Sequence, residues 1–230
     1  MKNITKLVAV CVLLGMSFTS CKDSKAENEG VSTAVETEAK EVQTTPEATV
    51  EVVLNANLAT EADLNGLGLS AEIVSQILEQ RPFLSMNDFD ALLVDVNKEE
   101  LYKKVFVPFN LNTTAEADFK MIPGVGKKMA HEFEEYRPYI SVKQFKKEIG
   151  KYVDDEEVER YLNYVFVPVE LNTASEEDIK ALPGVGKKMT HEFEEYRPYV
   201  NLAQSRKEIG KYVDDNELKR LERFVYLKNN

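Results

Sequence analysis

The chain has 230 residues and carries 29 Lys and Arg against 40 Asp and Glu, a formal net charge of -11. Two His, two Cys and no Trp exclude chemistry built from several imidazoles, such as a three-His zinc centre. The acidic balance argues against a broad basic surface, the usual footprint of a nucleic-acid binder, and leaves room only for a local one.

In chain order, Met1-Lys2 and Lys6 precede an apolar run from Leu7 to about Phe18, the layout of a secretory signal. The run is too short to cross a bilayer, which takes about 20 residues. Phe18-Thr19-Ser20-Cys21 resembles a lipobox, where lipoprotein signal peptidase cuts before a lipidated cysteine, although Phe18 stands where Leu is usual. The resemblance implies that residues 1–20 are a removed signal peptide and that Cys21 carries a lipid anchor. That places the chain in the cell envelope, on the periplasmic or surface-exposed face of an outer membrane. The alternative is an ordinary cleaved signal with a chance cysteine. If Cys11 leaves with the signal and Cys21 is lipidated, no thiol remains for a disulfide, a nucleophile or a metal.

Residues 21–53 read as an acidic flexible linker. Residues 22–52 hold eight acidic and three basic side chains, no aromatic residue and no apolar periodicity, too little apolar surface to offset the entropy of ordering. A flexible chain of roughly 30 residues reaches about 30 Å, enough to lift the remainder of the protein off a membrane.

The rest is repetitive. Residues 111–168 and 171–228 are identical at 35 of 58 positions and share PGVGKKM, HEFEEYRPY and EIGKYVDD. A worn copy precedes them: Asn57 to Leu64 parallels Asn112 to Phe119, and Arg81-Pro82-Phe83 parallels Arg137-Pro138-Tyr139. The units are therefore placed at 54–110, 111–170 and 171–230. Periodicity self-similar at this length marks a tandem array.

Each unit reads as helical, so the expected class is all-α. Thr113-x-x-Glu116 and Thr173-x-x-Glu176 suggest capping boxes opening a first helix that runs to Ile122 or Leu182. Pro123-Gly124 and Pro183-Gly184 stop it. A second helix starts near Gly126 and ends at Arg137-Pro138, with Ala130, Phe133 and Arg137 at helical spacing. Ser141 caps a third, which turns Val142, Phe145 and Ile149 inward and stops at Gly150; Asp154 opens a fourth, with Val158, Tyr161, Leu162 and Val165 on one stripe. Ser205 replaces Phe145 in the last unit, which predicts a looser core there.

Helix, Pro-Gly-Val-Gly, then a helix with a small residue at Ala130 or Thr190 resembles the helix-hairpin-helix motif. Together with the preceding Leu-Asn-Thr helix, the pattern over about residues 54–230 is similar to periplasmic DNA receptors of the ComEA type. That resemblance implies three tandem helix-hairpin-helix units whose hairpins contact DNA phosphates without reading sequence. The phosphate-binding residues it implies are Gly124, Val125, Gly126, Lys127 and Lys128, with Gly184, Val185, Gly186, Lys187 and Lys188. Chemistry points the same way: glycines allow a phosphate close to the backbone, and free N–H groups at a helix start form an anion site. Two lysines in a first turn oppose the helix dipole, a stability cost that a function would explain. In the first unit Ser70-Ala71-Glu72 stands for the second glycine and both lysines, so that unit reads as scaffold.

The other reading is that each hairpin only joins two packed helices. PsbU-like extrinsic proteins resemble the layout too, with a stretch akin to Arg137-Pro138-Tyr139-Ile140-Ser141-Val142, and serve a protein complex. The expected partner is thus DNA, bound weakly and salt-sensitively, or an envelope protein, with the membrane reached through Cys21. Charge is uneven: residues 53–110 hold nine acidic and four basic side chains, residues 111–170 twelve and nine, residues 171–230 eleven and eleven. Lys143, Lys146, Lys147, Lys151, Arg206, Lys207 and Lys211 could extend a basic strip, whereas His131-Glu132-Phe133-Glu134-Glu135 would repel a duplex along the second helix. His131 with Glu135, and His191 with Glu195, read as solvated pairs rather than metal ligands. No catalytic arrangement or Walker loop is present, so no enzyme, metal or cofactor is expected.

Overall fold

A computed structural model describes residues 52–228, which belong to one compact unit. The signal segment, Cys21 and nearly all of the linker lie outside the described residues. Among the described residues no helix is long and apolar enough to cross a membrane.

The described chain is mostly helical, with six two-residue strands. The first unit runs β1 (Leu54–Asn55), α1 (Glu61–Gly66), α2 (Ala71–Glu79), α3 (Met86–Asp90), α4 (Lys98–Tyr102) and β2 (Val105–Phe106). The second runs β3 (Phe109–Asn110), a 3-10 turn (Asp118–Met121), α5 (Lys127–Glu135), α6 (Val142–Ile149), α7 (Asp155–Tyr161) and β4 (Val165–Phe166). The third runs β5 (Val169–Glu170), α8 (Glu176–Lys180), α9 (Lys187–Glu195), α10 (Leu202–Ile209), α11 (Asp215–Glu222) and β6 (Val225–Tyr226).

The helical content fits the all-α expectation, and the short strands refine it. In each unit the opening strand pairs in parallel with the closing one: Leu54 with Val105, Phe109 with Val165, Val169 with Val225. The amides of Leu54, Phe109 and Val169 each reach the carbonyl before the partner strand at 2.8 Å. Parallel strands need a long crossover between them, and each unit's helices supply it. The pairing also joins Phe109–Asn110 to the second unit and Val169–Glu170 to the third, two residues ahead of the boundaries read from sequence.

Repeated motif residues hold each unit together. Asn112 Nδ2 donates to Tyr139 O at 2.8 Å, and Tyr139 N donates back to Asn112 Oδ1 at 2.8 Å. Asn57 does the same with Phe83, and Asn172 with Tyr199. The neighbouring arginine ties down the same loop: Arg137 donates to Leu111 O and Thr114 O, and Arg197 to Leu171 O and Ala174 O at 2.6 and 2.9 Å. The Leu-Asn-Thr and Arg-Pro-Tyr motifs thus recur because each satisfies the other's buried polar groups.

The capping boxes expected at Thr113 and Thr173 do not form. Thr113 N and Thr114 N both bond Asn110 O, so this stretch is still in the turn that leaves β3. In the third unit Ser175, two residues later, caps α8 by accepting from Asp178 N. The second unit has Ala115 at that place, and its Asp118–Met121 segment, with no side-chain cap, is only a 3-10 turn.

Packing runs as edge-on aromatic pairs, Tyr102 to Phe106 to Phe109 to Phe119 to Phe133 to Tyr161, with centroids 5.2–5.7 Å apart. This line carries one core through the first two units; a second cluster begins at Phe166, 4.7 Å from Phe224. The last unit also returns to the first, because Arg223 donates to Pro108 O at 3.0 Å and Phe83 O at 3.4 Å. Burial, with Arg220 nearby, pushes the Arg223 guanidinium down to about 10.

Candidate functional site

The second and third units carry the same turn. Gly124 and Gly184 have φ of 81° and 71°, a left-handed conformation that glycine adopts without strain. Val125 and Val185 are buried, which anchors the loop, and their amides bond Ile122 O and Leu182 O at 3.0 Å. Gly126 and Gly186 are extended and precede the first turns of α5 and α9. A side chain at either would meet no atom within 4 Å, so the approach to these two helix starts is open. All four lysines, Lys127, Lys128, Lys187 and Lys188, are exposed.

The decisive contrast is in capping. Nine of the eleven α-helices among the described residues start at Thr, Ser, Asn or Asp whose side chain accepts a first-turn amide. Only α5 and α9 start at glycine with no side-chain cap and no acidic residue in the first turn. The corresponding helix of the first unit, α2, is capped by Ser70 and carries Glu72. Gly68 there keeps a φ of 76°, so the turn survives while the anion-attracting features do not.

An arginine that sequence reasoning missed supports each turn from behind. Arg160 Nη2 donates to Pro123 O at 2.9 Å and Arg220 Nη1 to Pro183 O at 2.6 Å. Each also grips a carboxylate one turn earlier in its own helix: Arg160 on Glu157 at 2.6 and 2.7 Å, Arg220 on Glu217 at 2.6 Å twice. The hydrogen bonds that Arg160 donates to the Glu157 carboxylate raise its pKa. A Cβ at Gly124 would come 3.3 Å from Arg160 Nη2, so close packing as well as φ selects glycine. The signal available in sequence was the identical Glu157-x-x-Arg160 and Glu217-x-x-Arg220 spacing.

The two turns differ in surroundings. Leu58 of the first unit packs on Gly184 and would collide with a Cβ there, whereas Gly124 meets only Arg160 of its own unit. The second-unit turn is the less encumbered of the two.

The expected basic strip is largely neutralised. Lys146 pairs with Glu159, Lys151 with Glu148, Lys211 with Glu208, and Arg206 with Glu222 at 2.5 Å, while Lys147 lies 3.7 Å from Glu148. The acidic stretch after the hairpin is weaker than its sequence suggests. Glu132 and Glu192 turn inward, at 8% and 7% exposure, and Glu134 sits 3.3 Å from Arg137. His131 lies 3.3 Å from Glu116 and 3.9 Å from Glu135, and the Glu116 hydrogen bond raises its pKa; His191 lies 3.6 Å from Glu195. Among the described residues no three His, Cys, Asp or Glu side chains gather as metal ligands.

No family model, curated protein or solved structure matches this chain.

Proposed function

We propose that the chain is a tandem helix-hairpin-helix protein that binds the DNA phosphate backbone without sequence preference, held at the cell envelope by a lipid on Cys21. It has no catalytic role. The carrying observation is the pairing of an uncapped glycine start with two exposed lysines at α5 and α9, against nine helices capped by their own side chains. Uncapped amides and the positive end of the helix dipole attract an anion, and the lysines extend reach to a neighbouring phosphate. With about two to four phosphates neutralised, affinity falls in the nonspecific range of about 10⁻⁴–10⁻⁶ M and weakens steeply with salt.

The test is fluorescence anisotropy with duplex and single-stranded DNA over a salt series, for wild type and the quadruple Lys127/Lys128/Lys187/Lys188→Glu variant. Salt-sensitive binding lost in the variant is expected. No binding at low salt, or binding indifferent to salt, rejects the proposal.

One observation favours a protein partner instead. Leu84, Ile140 and Val200 hold the same place in the three units, directly after the tied Arg-Pro loop, and are 50%, 65% and 78% exposed. Three recurring aliphatic knobs suit a scaffold docked on another envelope protein. That alternative predicts crosslinked partners that survive both nuclease and the lysine changes.

A further inference from the structure

Ser205 holds in the third unit the position of Phe89 in the first and Phe145 in the second. Both phenylalanines are fully buried and stack edge-on against a ring of their own unit, Phe89 on Phe83 at 5.4 Å and Phe145 on Tyr139 at 5.6 Å. Ser205 is buried too, but beside it lies a cavity of about 100 Å³ lined by Phe193, Leu202, Ile209, Leu218, Leu221 and Val225. Val142 and Val158 of the second unit are the longer Leu202 and Leu218 here, and the cavity persists despite them. Its rim includes Leu202, 51% exposed, and Arg206 paired with Glu222 at 2.5 and 2.9 Å. Glu222 stands where the second unit has the apolar Leu162.

We infer that this cavity is a binding site for a phenyl ring delivered by another molecule. The sister units supply the template, since the same backbone frame there encloses a phenylalanine ring. Six of the lining residues are apolar, and of the polar ones Arg206 and Glu222 bond each other at the rim and leave Ser205, so an unsubstituted ring suits the interior better than a phenol, whose hydroxyl would lose its water. Apolar cavities of about 150 Å³ stay dry and take up benzene. Among the described residues the chain has no such ring to spare. All ten phenylalanines of residues 52–228 are buried in its own core, and residues 22–52 contain no aromatic residue. Tyr152 and Tyr212, the exposed tyrosines, each bond a second tyrosine hydroxyl at 2.7 Å. The ring therefore comes as a small aromatic molecule or as a phenylalanine side chain of a bound polypeptide, the same chemistry from two sources.

Full-length protein with ¹³C-labelled methyl groups is titrated with toluene and, separately, with N-acetyl-phenylalaninamide, with S205F and S205L as filled controls. Saturable shifts of the Leu202, Ile209, Leu218, Leu221 and Val225 methyls are expected, with a rise in Tm. Both responses are lost in the filled variants. Toluene alone acting identifies a small-molecule site; the amide acting as well shows that a side chain on a peptide backbone enters. Failure of both ligands to give saturable shifts in wild type overturns the inference, as do equal shifts in a folded filled variant.

Discussion

Transplanting the first unit's hairpin ending into the second separates stability from binding. The variant is Gly126→Ser, Lys127→Ala, Lys128→Glu, the residues found at Ser70, Ala71 and Glu72. Gly126 sits at φ -85° and ψ 175°, close to Ser70 at -66° and 150°, and a side chain there meets no atom within 4 Å. The serine hydroxyl can then accept Met129 N as Ser70 accepts Ile73 N. A Ser cap is worth a few tenths of a kcal/mol over Gly. Removing two lysines from the positive end of the dipole and adding a carboxylate contributes about 0.3–1 kcal/mol for each change at low ionic strength. The expected gain is about 1–2 kcal/mol, read as a higher urea midpoint at unchanged slope. If each lysine meets one phosphate, the slope of log K against log salt falls by about 2 for this hairpin, from about 0.9 per contact. Anisotropy on the same samples reads that slope. A variant no more stable than wild type refutes the dipole reasoning. One more stable but with unchanged DNA affinity and salt slope refutes the hairpin as the binding site.

Arg220→Ala leaves Glu217 and Pro183 O without their partner, and the arginine side chain is only 2% exposed, so a loss of about 2–4 kcal/mol in urea unfolding is expected. Arg160→Ala, at a side chain 32% exposed, costs less, about 1 kcal/mol; equal losses count against this account of the turns. Phe145→Ala opens in the second unit the gap that the third already has, and costs about 3–5 kcal/mol by the same assay. Alkaline unfolding is also expected. Burial raises the pKa of Tyr139, and of Tyr161 and Tyr199 to about 12, against an ordinary value near 10. A raised acid pKa keeps its stabilisation below pH 10 and loses it as pH climbs towards 12, while Arg81, Arg137 and Arg223, lowered by burial, act oppositely. Tyrosinate absorbance and helical circular dichroism should change together; tyrosines ionising near pH 10 with helices intact would contradict this.

Two helix starts were legible from the side chain that makes the cap. Ser141 and Asp154 stand at the predicted caps and accept from Gln144 N and Glu157 N. The glycine starts at 126 and 186 were legible because Pro-Gly cannot continue a helix, and the Ser205 gap because the second unit displays the missing ring at Phe145. Thr113 and Thr173 misled because a spacing rule cannot tell a capping threonine from one still inside a turn. The strands were invisible: two residues show no alternation, and Val-Phe at a helix end reads as more of the same stripe. Arg160 and Arg220 went unnoticed because their role lies in a carbonyl 37 positions away, and the repeated Glu-x-x-Arg spacing reads as no more than a pair within one helix.

The strand pairs have a consequence for how such a chain grows. Because each unit begins and ends on neighbouring strands, its two chain termini lie side by side, and Val107-Pro108 or Val167-Pro168 suffices to pass to the next. A gene segment with that property can be copied in place, since the newcomer closes on itself and hands the backbone on where it received it. The closely similar second and third units fit such an event, and designed arrays of four or five copies could be made by the same splice.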